Sequence, residues 1–274
     1  MTVARRPRTG LVRHRPWPLC RQCSGVALDM GSARTRAWVA GRGMVLDVPT
    51  VTFPGAGAVY PIQRGSIVDT QGTARMLDRL LGHRLPRFAR PLVVVTAPVL
   101  DGFAYRNEAR TAVEVLRPRS VLTVPSARAV ALAAGADLSR PLLVIDIGAH
   151  LTEVVLLVDG AVFDARRTAL GTRDIDDATP ATGIGDAVAD MITSMLRQDR
   201  TSLTVDALGR GPLLAGGGAL RPEITCHLAG RLHAPLRAVP APHTAAVRGA
   251  AKLLQAAHTH PSTAGTDPPE RSSR

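Results

Sequence analysis

The 274-residue sequence has three cysteines, a single lysine (Lys252), no acidic residue in its first 24 positions and no long apolar run. Each absence excludes something. Cys20, Cys23 and Cys226 are too few for a disulfide framework. Cys20-x-x-Cys23 has metal-ligand spacing, but no second pair follows it. A zinc or redox site is therefore not expected. The longest apolar runs, 91–100 and 141–147, have the length of buried strands; about 18 residues are needed to cross a bilayer. No apolar stretch follows the Arg-rich N-terminus, so it does not read as a secretory signal. A soluble, cytoplasmic protein is the expectation. The formal net charge is +12, and the six arginines of residues 1–24 supply half of it. Abundant Arg and Ala beside one lysine suggest a GC-rich genome, so the basicity does not argue for a nucleic-acid partner. Residues 1–24 and 258–274 read as disordered tails. The basic one, carrying Trp17, is either simply solvated or an electrostatic contact to an anionic membrane surface.

Between the tails the apolar residues alternate between strand-like and helix-like patterns. Strands are expected at 25–28, 37–39, 45–53, 92–96, 121–124, 142–145, 152–158, 161–166 and 212–215. Helices are expected at 73–81, 105–116, 127–136, 185–196, 219–232 and 244–257. The fold class is α/β. One pattern occurs twice: an apolar run, Asp, any residue, Gly, a turn and an apolar strand, at Asp29 and again at Asp146. That is the trace of a duplicated half-domain with a cleft between the copies, placed at 25–140 and 141–257.

These turns have a definite chemistry. A hairpin turn with Gly at its tip exposes successive backbone N–H groups, which form an anion-binding concavity. Glycine there permits close approach of a phosphate and a positive φ. An Asp at the end of each strand suits a hydrated Mg²⁺. Gly216-Gly217-Gly218, between a strand and a helix, offers a flat backbone for a nucleoside beside a helix N-terminus.

At this point the sequence resembles the MreB-type bacterial actins. Residues 25–49, GVALDMGSARTRAWVAGRGMVLDVP, are similar to the family's first phosphate motif. Residues 142–176, LLVIDIGAHLTEVVLLVDGAVFDARRTALGTRDID, resemble the second. RGPLLAGGGALRPEI, around Gly216–Gly218, resembles the adenosine motif. The resemblance implies an actin-like (ribonuclease H-like) pair of duplicated domains around a central cleft that binds ATP and Mg²⁺. The matching nucleotide contacts are Asp29, Gly31, Ser32, Ala33, Arg34, Asp146, Gly148, Ala149, His150, Gly216, Gly217, Gly218 and Ala219. Asp29 and Asp146 would hold Mg²⁺ through water. It further implies a role in cell shape or cell-wall synthesis, with a full-length paralogue or cell-wall synthesis proteins as partners.

The departures from the family are specific. Its second loop resembles D-I-G-G-G-T, whereas this chain has Asp146-Ile147-Gly148-Ala149-His150-Leu151. His150 is either a solvent-facing loop residue or a direct phosphate ligand. The acidic residue that orients the hydrolytic water in E-E-P-M-A-A is matched by Val124. Losing a general base costs about 10²–10⁴-fold, so hydrolysis should be slow or absent and no catalytic residue is assigned. Short connections at 53–64 and 177–185 leave the outer small subdomains reduced or absent, together with the Glu and Lys that clasp ribose and adenine. Weak ATP binding follows, and the alternative is a nucleotide-free pseudo-ATPase scaffold.

Overall fold

The computed structural model describes residues 24–55, 57–85, 90–100 and 102–259. The Cys20-x-x-Cys23 pair and nearly all of both expected tails lie outside the described residues.

Three antiparallel strands open the chain: β1 (Gly25–Met30), β2 (Arg34–Val39) and β3 (Gly43–Pro49). A two-residue hairpin, β4 (Ile62–Gln63) and β5 (Ser66–Ile67), leads into α1 (Thr70–Leu81). Asp69 caps α1 by accepting from the Gly72 N–H at 2.7 Å, which starts the helix three residues earlier than its apolar spacing indicates. Then come β6 (Leu92–Ala97), α2 (Gly102–Val113) with a trailing 3₁₀ turn, β7 (Ser120–Pro125) and α3 (Ser126–Ala134). The second half repeats the order with β8 (Leu142–Ile147), β9 (Thr152–Val158), β10 (Ala161–Thr168), α4 (Ala181–Gln198), α5 (Leu203–Gly209) and β11 (Leu213–Ala215). It ends with α6 (Pro222–Leu232), β12 (Arg237–Ala238) and α7 (Ala245–Thr259).

The duplication is explicit in the two five-stranded sheets, ordered β3-β2-β1-β6-β7 and β10-β9-β8-β11-β12. In each, an antiparallel meander is extended by two parallel strands. The central strands are apolar on both faces because helices cover both sides; every residue of β6 is buried. One face of the first sheet packs on α1 and α2 through Val93, Val95 and Leu77. Its other face packs on α7 through Ala27, Val94 and Leu254. The second sheet packs on α4 and α6 through Ile145, Ile192 and Leu228. Its opposite face packs on α3 through Val144, Val155 and Val130. Each half thus sends a helix to the other half's sheet: α3 crosses forward and α7 crosses back. These two helices touch so closely that a Cβ on Gly249 would overlap the Ala129 carbonyl.

Several expectations differ from the observed elements. The helix expected from Ala219 begins at Pro222, after a 3₁₀ turn at Gly217–Leu220. Proline at the first helical position costs no hydrogen bond and sets the start there. β4, β5, α5 and β12 are too short to leave a periodic signal. α7 runs to Thr259, two residues past its expected end at 257. Among the described residues, no helix is long and apolar enough to cross a membrane.

Candidate functional site

Strand alternation decides which side chains face the cleft. In β1, Leu28 and Met30 join the α1–α2 core, so Asp29 points to the α7 side. In β8, Ile145 and Ile147 join the α4–α6 core, so Asp146 points to the α3 side. Both aspartates therefore face inward from their own sheet. They line one cavity of about 310 Å³ between the halves, within the size range of small-molecule sites.

The hairpins are built alike. Gly31 N–H donates to the Arg34 carbonyl at 3.0 Å, and Gly148 N–H to the Leu151 carbonyl at 2.8 Å. The two-residue tips are therefore Ser32-Ala33 and Ala149-His150, and the glycines sit at the bases and not at the tips where the sequence pattern put them. Neither glycine has positive φ. Each is needed because a Cβ would crowd the carbonyl three residues on, at 3.2 Å for Gly31 and 2.8 Å for Gly148. Among the described residues, the N–H groups of Ser32, Ala33, Ala149 and His150 have no backbone acceptor. Four amide donors thus stand at the two tips.

Of the residues singled out from sequence, Asp29, Gly31, Ser32, Ala33, Arg34, Asp146, Gly148, Ala149, Gly216 and Gly217 line the cavity. His150, Gly218 and Ala219 are not among its lining. The His150 ring turns to Asp174, with Nδ1 at 3.2 Å from Oδ1. Gly218 backs onto the Ile147 side chain, where a Cβ would overlap it. Gly216 is held at φ +80° against the Ile147 carbonyl, whereas Gly217 opens onto free space. Val124 pairs with Thr96 and packs in the α7-facing cluster; the cavity wall at that corner is Ser126.

Sequence reading missed four contributors. Thr96 donates to Asp29 Oδ1 at 2.9 Å, and the Tyr105 hydroxyl donates to the Met30 carbonyl at 2.9 Å, bracing the first hairpin. Arg36 lies opposite Asp29 in register, 3.5 Å from Oδ2. Glu153 occupies the corresponding position opposite Asp146. The first hairpin thus carries an opposite-charge pair and the second a like-charge pair. Burial first, and the Asp29 charge second, push Asp146 up to about 6, with Arg36 partly offsetting them. Burial and the Asp146 charge push Glu153 up to about 7, against the pull of its bonds from Leu100 and Val99. Those bonds, 3.0 Å from Val99 N–H and 3.3 Å from Leu100 N–H, tie the loop after β6 to the second half. The period-2 position of Glu153 was legible; its contact with a distant loop was not.

A second tie closes the far side of the cleft. Arg64, at the β4–β5 turn, reaches Asp174 at 2.8 Å and also donates to the Ala169 carbonyl. Burial pushes Asp174 up, but bonds from His150 and Gly171 and the Arg64 charge hold it below its usual value.

Two carboxylates on one cavity, with the charge of Asp29 raising Asp146, suit a divalent cation. Among the described residues no group of three His, Cys, Asp or Glu side chains could hold a metal. The donors fit an ion that keeps most of its water.

Comparison with known proteins agrees with this architecture. The MreB/Mbl protein family profile matches residues 52–182. The cell shape-determining protein MreB of Escherichia coli K12 is 27% identical over 173 residues, covering 51% of this chain and 50% of that protein. The chain spans about half the length of the curated relatives it matches. MreB5 of Spiroplasma citri bound to ADP superposes with a TM-score of 0.73 at 15% identity, covering 86% of this chain and 97% of that one. A MamK double helical filament superposes at 0.67 and 15% identity, covering 84% and 98%. At such identity the structural likeness is one of fold. Together, the family profile over residues 52–182, the curated relatives and the duplicated sheets show that this chain is similar to the MreB/Mbl proteins over about half of its length and has an actin-like fold.

Proposed function

We propose that the cleft binds Mg·ATP weakly, and that the protein is an MreB-like cytoskeletal component acting in cell shape or cell-wall synthesis beside a full-length paralogue. One observation carries the reading: both hairpin tips and the Gly216–Gly217 turn border a single cavity, with four tip amides that have no backbone acceptor among the described residues. Amides so placed bind anions, and the open face of Gly217 accommodates a nucleoside. The S. citri MreB5 structures contain ADP and AMPPNP. Weak affinity is expected because the second tip is Ala149-His150 rather than glycine. Slow or absent hydrolysis is expected because Val124 supplies no base and the Glu153 carboxylate is already engaged by Val99 and Leu100. Asp29 and Asp146 would hold Mg²⁺ through water, and that ion would offset their repulsion of the triphosphate. We place the protein in the cytoplasm, with the basic N-terminal residues touching an anionic membrane surface.

Thermal unfolding tests the nucleotide claim. Mg·ATP at ~100-fold over its Kd should stabilise by about 2.7 kcal/mol, a shift of several degrees. ATP with EDTA should give none, since the bare triphosphate meets two carboxylates. A second reading, the nucleotide-free scaffold, draws on the direct ties Arg64–Asp174 and Glu153–Val99, which join the halves without a ligand. An unchanged melting temperature at several millimolar Mg·ATP would select it.

A further inference from the structure

Six charged side chains line the cleft: the acids Asp29, Asp146 and Glu153, and the arginines Arg34, Arg36 and Arg173. Two of the cations are committed. Arg34 donates to the Asp47 carboxylate, and Arg36 lies 3.5 Å from Asp29 and 3.2 Å from Asp47. Arg173 has no side-chain partner among the described residues, although its backbone is firmly placed. Its N–H donates to the Ala149 carbonyl at 2.8 Å, and the Thr172 N–H donates to the Gly148 carbonyl at 3.0 Å. Gly171 lies so close to this tip that a Cβ would meet His150 N at 2.6 Å. The neighbouring Asp174 does not neutralise Arg173, because Arg64, His150 and the Gly171 N–H already occupy its carboxylate. Among the described residues Arg173 thus has a guanidinium without a partner, on an exposed residue that is bonded through its backbone to the second hairpin tip and lines the cavity.

We infer that Arg173 binds the terminal phosphate of a nucleoside triphosphate and gives the cleft a preference for triphosphate over diphosphate. The inference rests on the nucleotide reading proposed above. With the nucleoside at Gly217, the phosphate chain runs toward the hairpin tips, and its last phosphate comes within reach of a side chain rooted there. Ala149 and His150 carry Cβ atoms that keep a phosphate farther from the backbone than glycine would. A long side chain spans that gap, and the planar guanidinium offers two parallel N–H donors to phosphate oxygens.

The test is calorimetric titration of the full chain with Mg·ATP and Mg·ADP, using wild type, Arg173→Ala and Arg173→Lys. Loss of a charge-assisted bond should weaken ATP binding of Arg173→Ala about tenfold or more. ADP binding should stay within about twofold, and Arg173→Lys should fall between, since lysine keeps the charge without the fork. Unchanged ATP affinity in Arg173→Ala, or equal losses for both nucleotides, would overturn the assignment of Arg173 alone. A wild type that binds neither nucleotide would overturn the nucleotide reading beneath it.

Discussion

Adjacent glycines in the 216–218 turn do different jobs, and the difference can be measured. Gly216 sits at φ +80° with the Ile147 carbonyl against its Cα, so any side chain is strained there. Gly216→Ala should cost about 2–4 kcal/mol in denaturant unfolding, from backbone strain plus overlap. Gly217 has nothing within 4 Å of a built Cβ and lines the cavity. Gly217→Val should stay within about 0.5 kcal/mol of wild type. It should nonetheless lose any Mg·ATP-induced shift in melting temperature, because its branches enter the nucleoside space. A Gly217→Val protein stabilised by Mg·ATP as much as wild type would place the nucleoside elsewhere. The sequence marks the run of three glycines; which glycine serves the fold and which the ligand depends on Ile147, some seventy positions away.

The β8–β9 hairpin carries a conflict that its first-half counterpart lacks. Asp29 faces Arg36, whereas Asp146 faces Glu153 in a buried setting. Glu153 binds its proton more tightly in the fold, at about 7, than at its ordinary 4.5. Its contribution to stability is therefore complete below about pH 4.5 and is lost as pH rises through 7. Asp146, pushed from 3.8 to about 6, acts in the same direction at lower pH. Between pH 5 and 8 the wild-type melting temperature should fall more steeply than that of Glu153→Gln. Parallel slopes for the two proteins would mean that Glu153 ionises normally in the fold. Strand alternation in TEVVLLV shows which way Glu153 points. It does not show that Val99 and Leu100 lie there to meet it, because that contact is made by loop packing between halves.

At the scale of the whole molecule, two sheets are joined by exchanged helices and by two polar ties across the cleft. The segments at 50–61, between β3 and β4, and at 169–180, between β10 and α4, are short, and they stand where the family resemblance implies outer subdomains. The same resemblance implies that such subdomains carry lengthwise filament contacts. Alone with Mg·ATP the protein should stay in the supernatant on high-speed centrifugation, and it should pellet with a full-length MreB-type paralogue. Pelleting alone would show that the reduced chain retains its own lengthwise contacts.

By itself the sequence determined the alternation that turns Asp29 and Asp146 inward, the length of the buried strands, and the two hairpin turns that follow Asp29 and Asp146. These are local consequences of a two-residue repeat and of short-range hydrogen bonding. Tertiary structure alone decided that the two tips border one cavity, that Glu153 and Arg64 bridge the halves, and that His150 turns away to Asp174. Those outcomes follow from packing between residues far apart in the chain, above all the close crossing of α3 and α7 at Ala129 and Gly249. No local pattern encodes how far apart two separately folded sheets will stand; the helices exchanged between them do.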